Sequence, residues 1–145
     1  MIEAGSLSID FGAINWLAVV AATIFAMAFG MLYYMPFAVG NVWMDALGTT
    51  AEEINARGGH VRAFAVATIG ALLSVTTVAI LVQLTGADAF ISGLLIGALA
   101  AVGLVLAPMA TAYIFEGRPL KLYIINAAEN FVSLIVIALI LTLWQ

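Results

Sequence analysis

One carboxylate falls inside a long apolar run of this chain, and the side chains around it have the types and spacing of a polar site. Glu129 stands with Asn126, Asn130 and Ser133, which lie three residues before it and one and four residues after it. Residues at these offsets share one face of an α-helix. The sequence therefore predicts a polar stripe, with one titratable group, on an otherwise apolar helix.

Three interpretations of this stripe are open. In the first, Glu129 is protonated, or hydrogen-bonded to a neighbouring amide, to Thr111 or to a tyrosine, and serves as a polar contact between helices. In the second, Glu129 lines a cavity open to water and binds or relays a proton or a cation. Hydroxyl groups at similar depths on other helices are then expected to complete the pocket, and these belong to Tyr33, Thr68 and Thr111. In the third, Glu129 pairs with a basic group on a different protein.

The composition indicates the environment in which this stripe lies. Of the 145 residues, 66% are hydrophobic and 8% are charged, and the mean hydropathy is +1.21. Eight acids and four bases cannot cover the outside of a soluble domain of this length. The sequence therefore indicates an integral membrane protein. Its apolar runs are long and continuous instead of alternating, which favours helices over a barrel.

The runs predict an all-α fold, a four-helix transmembrane bundle in a single domain, residues 1–145. The predicted spans are about 14–34, 61–84, 89–115 and 120–144. The third run is longer than the roughly 20 residues that a bilayer requires, so we expect it to tilt, or to kink at Pro108.

The segment 35–60 is the long polar connection of the predicted bundle. We expect it on the cytoplasmic side, with Trp43 as an interfacial anchor. A short helix is predicted near 51–57, because Thr50 and Glu53 have the spacing of a capping box.

The basic residues predict the orientation. They lie in two connections, between the first and second spans and between the third and fourth, and they are Arg57, Arg62, Arg118 and Lys121. The positive-inside rule places both connections in the cytoplasm and both termini on the other side. Arg118 and Lys121 are expected to touch anionic lipid headgroups. Glu116 is expected to form an ion pair with Arg118 in the turn, or to contact a headgroup, instead of acting as a catalytic acid.

Small residues recur along two of the predicted spans. They are Ala18, Ala22, Ala26 and Gly30 in the first, and Gly93, Gly97 and Ala101 in the third. Such stripes let the backbones of two helices approach closely, so they predict packing faces. A lone bundle of this size has little interior, and we therefore expect a homo-oligomer or a subunit of a larger membrane complex.

Several function classes find no support in the residues. The chain has no cysteine, which excludes a disulfide framework or a thiolate site. We find no metal-ligand cluster, no nucleophile with a base and no phosphate loop, so we expect neither an enzyme nor a cofactor. The net charge of -4 is carried by loops, so membrane lipids are expected partners and nucleic acid is not. The segment Met1–Ala13 contains acids but no base, unlike a secretory signal.

Four short strings resemble a bacterial membrane-protein family, the domain of unknown function 1761. They are Ile14-Asn15-Trp16, Tyr33-Tyr34-Met35-Pro36, Trp43-Met44 and Phe115-Glu116-Gly117-Arg118-Pro119-Leu120-Lys121. The last string is the most specific, and the resemblance extends from Ile14 to Trp144. It implies a small four-helix protein of a bacterial membrane, expected to be the inner membrane, and it implies no activity.

Two functional hypotheses follow. The leading one is a small oligomeric inner-membrane protein without catalytic activity, in a structural or accessory-subunit role. The alternative is a small carrier or channel for protons, cations or a small solute, in which Glu129 is the titrating group.

Overall fold

The computed structural model of the chain describes residues 2–5 and 7–145, and 78% of it is helix. Met1 and Ser6, which belong to the N-terminal segment discussed above, lie outside the described residues. In chain order the elements are β1 (Ile2–Ala4), β2 (Leu7–Ile9), α1 (Trp16–Tyr33), α2 (Gly40–Leu47), α3 (Ala51–Arg57), α4 (His60–Thr85), α5 (Phe90–Leu99), a π-helical segment (Ala100–Leu106), α6 (Ala107–Phe115) and α7 (Leu120–Leu143). The strands β1 and β2 pair antiparallel, with Ile2 opposite Ile9.

Four helices of the described chain are long and apolar enough to cross a membrane. They are α1, α4, the continuous helix from α5 through α6, and α7, with 18, 26, 26 and 24 residues. The prediction of an all-helical chain is confirmed, and so is the prediction of four helices that are long and apolar enough to cross a membrane.

The core lies where α1, α4 and α7 meet, toward the end of the bundle that holds residues 9–15, the turn 86–89 and residues 144–145. We call this the terminal end. Ala18, Ala22 and Val75 are fully buried here, and Val19 is 1% exposed. The other buried core residues are Ile14, Val78, Ala79, Val82, Ala87, Ala101, Leu134, Ile137, Ala138 and Leu141.

Hydrogen bonds between distant segments join the terminal end. The Asp10 N–H donates to Gln83 Oε1 at 3.0 Å, and Gln83 Nε2 donates to the Asp10 carbonyl at 2.7 Å. Asn15 Nδ2 donates to the Trp144 carbonyl at 3.2 Å, and the Gln145 amide donates to the Ala87 carbonyl. These bonds tie both ends of the chain to the helices of the core.

The predicted stripes of small residues pack within the chain. A Cβ added to Gly97 would lie 2.7 Å from Ile135 Cα, and one added to Gly93 would lie 2.9 Å from Thr142 Oγ1. The backbone of α5 therefore lies directly on α7, while Ala18 and its neighbours on α1 face α4 and α7. These positions are therefore occupied inside the bundle, whereas Ala26 and Gly30 of the first stripe border a cleft between α1, α4 and α7.

The opposite end is looser. It holds the connections that precede α4 and α7 together with the first residues of these two helices, and we call it the basic end. Its basic residues are Arg57, Arg62, Arg118 and Lys121. Residues 60–67 of α4 are all exposed. At the end of α6, Ile114 and Phe115 are 79% and 88% exposed. The helices that pack tightly at the terminal end therefore separate at the basic end.

The long helix that begins with α5 changes its hydrogen-bond register before Pro108. Proline has no N–H, and its ring would collide in a regular α-helix with the carbonyl four residues earlier, which belongs to Leu104. The chain adopts π-helical turns over Ala100–Leu106, and the Ala107 N–H donates to the Val102 carbonyl, five residues back. The sequence predicted a tilt or a kink at Pro108 but not this π-helical segment.

Two short helices fill the connection between α1 and α4. A Cβ on Gly40 would lie 2.3 Å from the Tyr34 carbonyl oxygen, so glycine is required where α2 begins against the end of α1. The Trp43 ring packs edge-on against the Tyr34 ring, with the centroids 5.5 Å apart. The predicted capping box of α3 is confirmed, because the Glu53 N–H donates to Thr50 Oγ1 at 3.2 Å and the Thr50 N–H donates to Glu53 Oε2 at 3.3 Å.

Ion pairs hold the turns of the basic end. Arg118 Nε lies 2.5 Å from Glu116 Oε2, which confirms the predicted pair. Lys121 Nζ lies 3.5 Å from Asp45 Oδ2 and so joins α7 to α2. Both basic residues expected at lipid headgroups therefore also contact acids of the chain.

Candidate functional site

A cleft of about 680 Å³ lies where α1, α4 and α7 separate toward the basic end. Its lining includes Gly30 of α1, Tyr34 directly after α1, and three residues of α7, namely Glu129, Asn130 and Ser133. The wall formed by α4 consists mostly of small residues, namely Ala63, Ala67, Gly70, Ala71 and Ser74. Because these side chains occupy little volume, the three helices leave space between them.

Glu129 is half-buried in this cleft and faces α1. A Cβ on Gly30 would lie 3.8 Å from Glu129 Oε1, so the carboxylate occupies the space beside this glycine. Across residues 2–5 and 7–145, the carboxylate forms no hydrogen bond and no ion pair. Glu129 is therefore an acid within the cleft that the rest of the described chain does not satisfy.

Asn126 makes two of the hydrogen bonds that join the helices here. The Tyr34 hydroxyl donates to Asn126 Oδ1 at 2.7 Å, and Asn126 Nδ2 donates to the Tyr113 hydroxyl at 2.6 Å. The Tyr33 hydroxyl donates to the Ile125 carbonyl at 2.8 Å. Asn126 thus connects the end of α1 to α6 and α7, which is the contact between helices that the first interpretation expected of Glu129.

The Asn126 network continues through aromatic side chains to the π-helical segment. The Tyr113 ring packs edge-on against the Tyr123 ring at 5.7 Å, and the Arg118 guanidinium carbon lies 5.0 Å from the Tyr113 ring centroid. The Tyr123 hydroxyl donates to the Leu106 carbonyl at 3.1 Å. The register change before Pro108 is therefore held by a contact from α7.

The polar atoms left free in the cleft are mainly hydrogen-bond acceptors. Asn130 Nδ2 donates to the Asn126 carbonyl at 2.8 Å, which leaves the Asn130 amide oxygen free. Tyr34 has already donated its hydroxyl hydrogen to Asn126. Glu129 adds two carboxylate oxygens, and no Lys, Arg or His is among the described residues that line the cleft. Such a surface suits a positively charged group that donates hydrogen bonds.

Three residues expected to complete the pocket are placed elsewhere. Thr68 Oγ1 donates to the Phe64 carbonyl at 2.8 Å and Thr111 Oγ1 to the Ala107 carbonyl at 3.3 Å. Hydroxyls in helices commonly bond to the preceding turn in this way. Contrary to expectation, neither threonine lines the cleft, and Tyr33 does not line it either.

Tyr34 and the α4 wall of the cleft were not predicted from the sequence. The signal for the wall was present, because the small residues of α4 recur at intervals of three and four from Ala63 to Ser74 and so share one helix face. Tyr34 gave no comparable signal, because its contact with Asn126 joins residues far apart in the chain.

A second cavity, of about 370 Å³, lies between the same three helices at the terminal end. Its polar lining includes Asn15, Gln83, Asp88 and Gln145. The three amides are hydrogen-bonded to other segments, as described above. Among the described residues, no group of three or more His, Cys, Asp or Glu side chains could hold a metal ion in either cavity.

Comparison with known protein families gives a match over most of the chain. The model of a family described as Protein of unknown function (DUF1761) matches residues 17–142. No curated protein and no solved structure matches the chain. The chemistry of the cleft therefore has to be inferred from its own residues.

Proposed function

The chain belongs to the DUF1761 family, whose function is unknown, and we propose that it is a multi-pass protein of the bacterial inner membrane that carries a proton, a cation or a small cationic solute. Glu129 is the group that binds the cargo. The observation that carries this proposal is the position of the Glu129 carboxylate, which lies in a cleft of about 680 Å³ and has no hydrogen bond or ion pair with the described residues.

Insertion into a membrane is supported by the outer surface of the four long helices. Large apolar side chains point away from the bundle, among them Leu17 at 64%, Leu99 at 72% and Leu104 at 69% exposure. Transfer of such surface from water to hydrocarbon is favourable.

The proposed orientation has the basic end in the cytoplasm and both termini outside. It is supported by the clustering of the Lys and Arg residues in the connections of the basic end. Because the chain has no cysteine, labelling of a single introduced cysteine shows on which side of the membrane that residue lies. A membrane-impermeant maleimide added to intact cells should label Thr85→Cys and leave Glu52→Cys unlabelled. The reverse pattern would refute this orientation.

A binding role for Glu129 is supported by the free-energy cost of placing an acid at this position. An ionised acid at the centre of a transmembrane helix costs about 2.5–3.5 kcal/mol on insertion scales, and such residues usually mark ion or substrate pathways. Asn126 already makes the hydrogen bonds between helices. Among the described residues that line the cleft, Tyr34 is the other titratable residue, and α4 adds none. A single carboxylate therefore dominates the cleft.

Competition at this carboxylate gives a mechanism for coupled transport. When the cleft is empty, a proton neutralises Glu129. A cationic group that enters the cleft displaces this proton and takes its place beside the free oxygen of Asn130. Since one carboxylate cannot hold both, uptake of the cargo on one side releases a proton there. Toward the terminal end the cleft is closed by packed residues that include Val19, Ala22 and Val75, which corresponds to a state open toward the basic end.

The test is flux through reconstituted protein. Liposomes that contain wild type, Glu129→Gln or Glu52→Gln are loaded with a pH-sensitive dye and subjected to gradients of K⁺, Na⁺ or ammonium. Glu52→Gln is the matched control, because it makes the same chemical change at an exposed residue of α3. We expect pH-dependent flux in wild type and in the control, and its loss in Glu129→Gln. Equal flux in all three, including no flux in any, would remove the carrier proposal.

A structural or accessory-subunit role, within a homo-oligomer or a larger complex, is the second candidate. It is supported by the exposed first half of α4, whose small residues border an open cleft that could receive a helix of another subunit. If Glu129→Gln leaves flux unchanged but shifts the oligomer mass in native mass spectrometry, this candidate replaces the first. Purification in mild detergent that yields only a monomer of the lone chain would count against it.

A further inference from the structure

The size of the cleft around Glu129 is the first observation that bears on its ligand. A volume of about 680 Å³ lies within the ~300–1,000 Å³ typical of small-molecule pockets. A proton needs no cavity, and a bare metal ion needs only the space between its ligands. The cleft therefore has room for an organic molecule.

The polar groups of the cleft match an ammonium group better than a metal ion. Calcium takes about 6–8 oxygen ligands and magnesium demands octahedral geometry. The α7 side of the cleft supplies the Glu129 carboxylate, the free Asn130 oxygen and the Ser133 hydroxyl. A primary ammonium has three N–H donors. One carboxylate with two further oxygens can satisfy these donors and neutralise the charge.

The remaining walls are apolar, and the cleft opens to the side of the bundle. Its apolar lining includes Met27, Met31, Phe64, Val105, Leu134 and Ile137. Methionine side chains adapt to ligands of different shape. Met31 and Phe64 line the cleft and are also 55% and 56% exposed at the bundle surface. A molecule with an apolar body can therefore reach Glu129 sideways, between α1 and α4.

We infer that the cleft binds an amphiphilic organic cation, with one ammonium group on Glu129 and an apolar body against α1 and α4. This inference rests on the proposed function and names its substrate class. The ligand enters from the lipid phase through the side of the bundle.

Binding of octylammonium to the full chain in lipid nanodiscs tests the charge requirement. Octanol serves as the neutral analogue of similar length, KCl as the bare cation, and empty nanodiscs correct for partition into lipid. By isothermal titration calorimetry, octylammonium should bind wild type and Glu52→Gln alike. Because the charge-assisted hydrogen bonds are lost, Glu129→Gln should weaken binding at least ~10-fold. Equal binding of octanol and octylammonium, or octylammonium binding unaffected by Glu129→Gln, would overturn the inference.

A cavity-filling variant tests the site of the apolar body. A Cβ on Gly70 meets no atom within 4 Å, so the side chain of Gly70→Leu projects into the cleft without a clash. Gly103 also has open space around it but does not line the cleft, which makes Gly103→Leu the matched control. Octylammonium binding should fall at least ~10-fold in Gly70→Leu and stay unchanged in Gly103→Leu. Circular dichroism and gel filtration verify the fold of each variant, and unchanged binding in Gly70→Leu would refute this site.

The results separate this inference from the proposed function. If octylammonium fails to bind wild type while flux still depends on Glu129, the ligand class is wrong and the carrier proposal stands. If flux is also insensitive to Glu129→Gln, both are wrong.

Discussion

The two ends of this bundle are built from the same three helices, yet they pack differently. At the terminal end, α1, α4 and α7 interlock through fully buried residues such as Ala18 and Val75. At the basic end, the same helices diverge and leave a cleft almost twice as large as the cavity at the other end, about 680 against 370 Å³. Close packing is therefore a property of one half of the bundle.

The polar side chains are also better satisfied by hydrogen bonds at the terminal end than at the basic end. The amides of Asn15, Gln83 and Gln145 border the smaller cavity, and each has a partner in another segment. Glu129 borders the larger cleft and has none among the described residues. Amides paired in this way add to stability, and Asp88, the acid that borders the smaller cavity, is exposed. The half-buried, unpaired acid of the larger cleft is available to a ligand.

The largest expected effect on stability comes from replacing a glycine by leucine, once in the tightly packed part of the bundle and once in the cleft. Gly97→Leu should destabilise the protein by about 3 kcal/mol, since even a Cβ there would lie 2.7 Å from Ile135 Cα and would push α5 off α7. Gly70→Leu should leave stability within about 0.5 kcal/mol, because its side chain enters open space. Reversible unfolding in mixed micelles by titration with sodium dodecyl sulfate measures both. Equal losses of stability in the two variants would contradict the proposed difference in packing between the two ends.

A smaller effect is expected from the hydrogen-bond network of Asn126. Asn126→Ala removes the acceptor of the Tyr34 hydroxyl and the donor to the Tyr113 hydroxyl. Polar contacts between membrane helices are worth about 0.6 kcal/mol each on average, so we expect a loss of about 1–2 kcal/mol. Asn130→Ala, which removes one bond within α7, should lose less in the same unfolding assay. If Asn130→Ala proves the more damaging change, the connection between helices has been assigned to the wrong amide.

The smallest effect on stability is expected at Thr142, a polar residue of the terminal end whose hydroxyl is not satisfied within the described chain. Thr142 is 2% exposed, and its hydroxyl has no hydrogen-bond partner among the described residues. Thr142→Val keeps the shape and removes the unsatisfied group, so stability should rise by about 1 kcal/mol. Thr77→Val is the control, because the Thr77 hydroxyl is bonded to the Leu73 carbonyl. A loss of stability in Thr142→Val would show that this hydroxyl is satisfied and that the terminal end contains no exception.

Features that depend on neighbours in the chain were predictable. The capping box of Thr50 and Glu53 and the ion pair of Glu116 with Arg118 join residues within three positions of each other. The four long apolar helices follow from composition, because hydrophobicity and helix length are properties of each segment alone. The π-helical segment was not predictable in the same way, since Pro108 can also be accommodated by a kink.

The amino-acid sequence alone determined that the chain consists of long apolar helices, that its basic residues lie in two alternate connections, and that Glu129 shares a helix face with three polar residues. Only the tertiary structure decided which of these polar residues is paired. Asn126 bonds to Tyr34 and Tyr113, which are 92 and 13 residues away, whereas Glu129 has no partner in the described part of the chain. The reason is geometric. The sequence of one helix shows which side chains share a face and can form hydrogen bonds. The packing of the other helices brings a partner to one of these side chains and leaves a cleft beside the next.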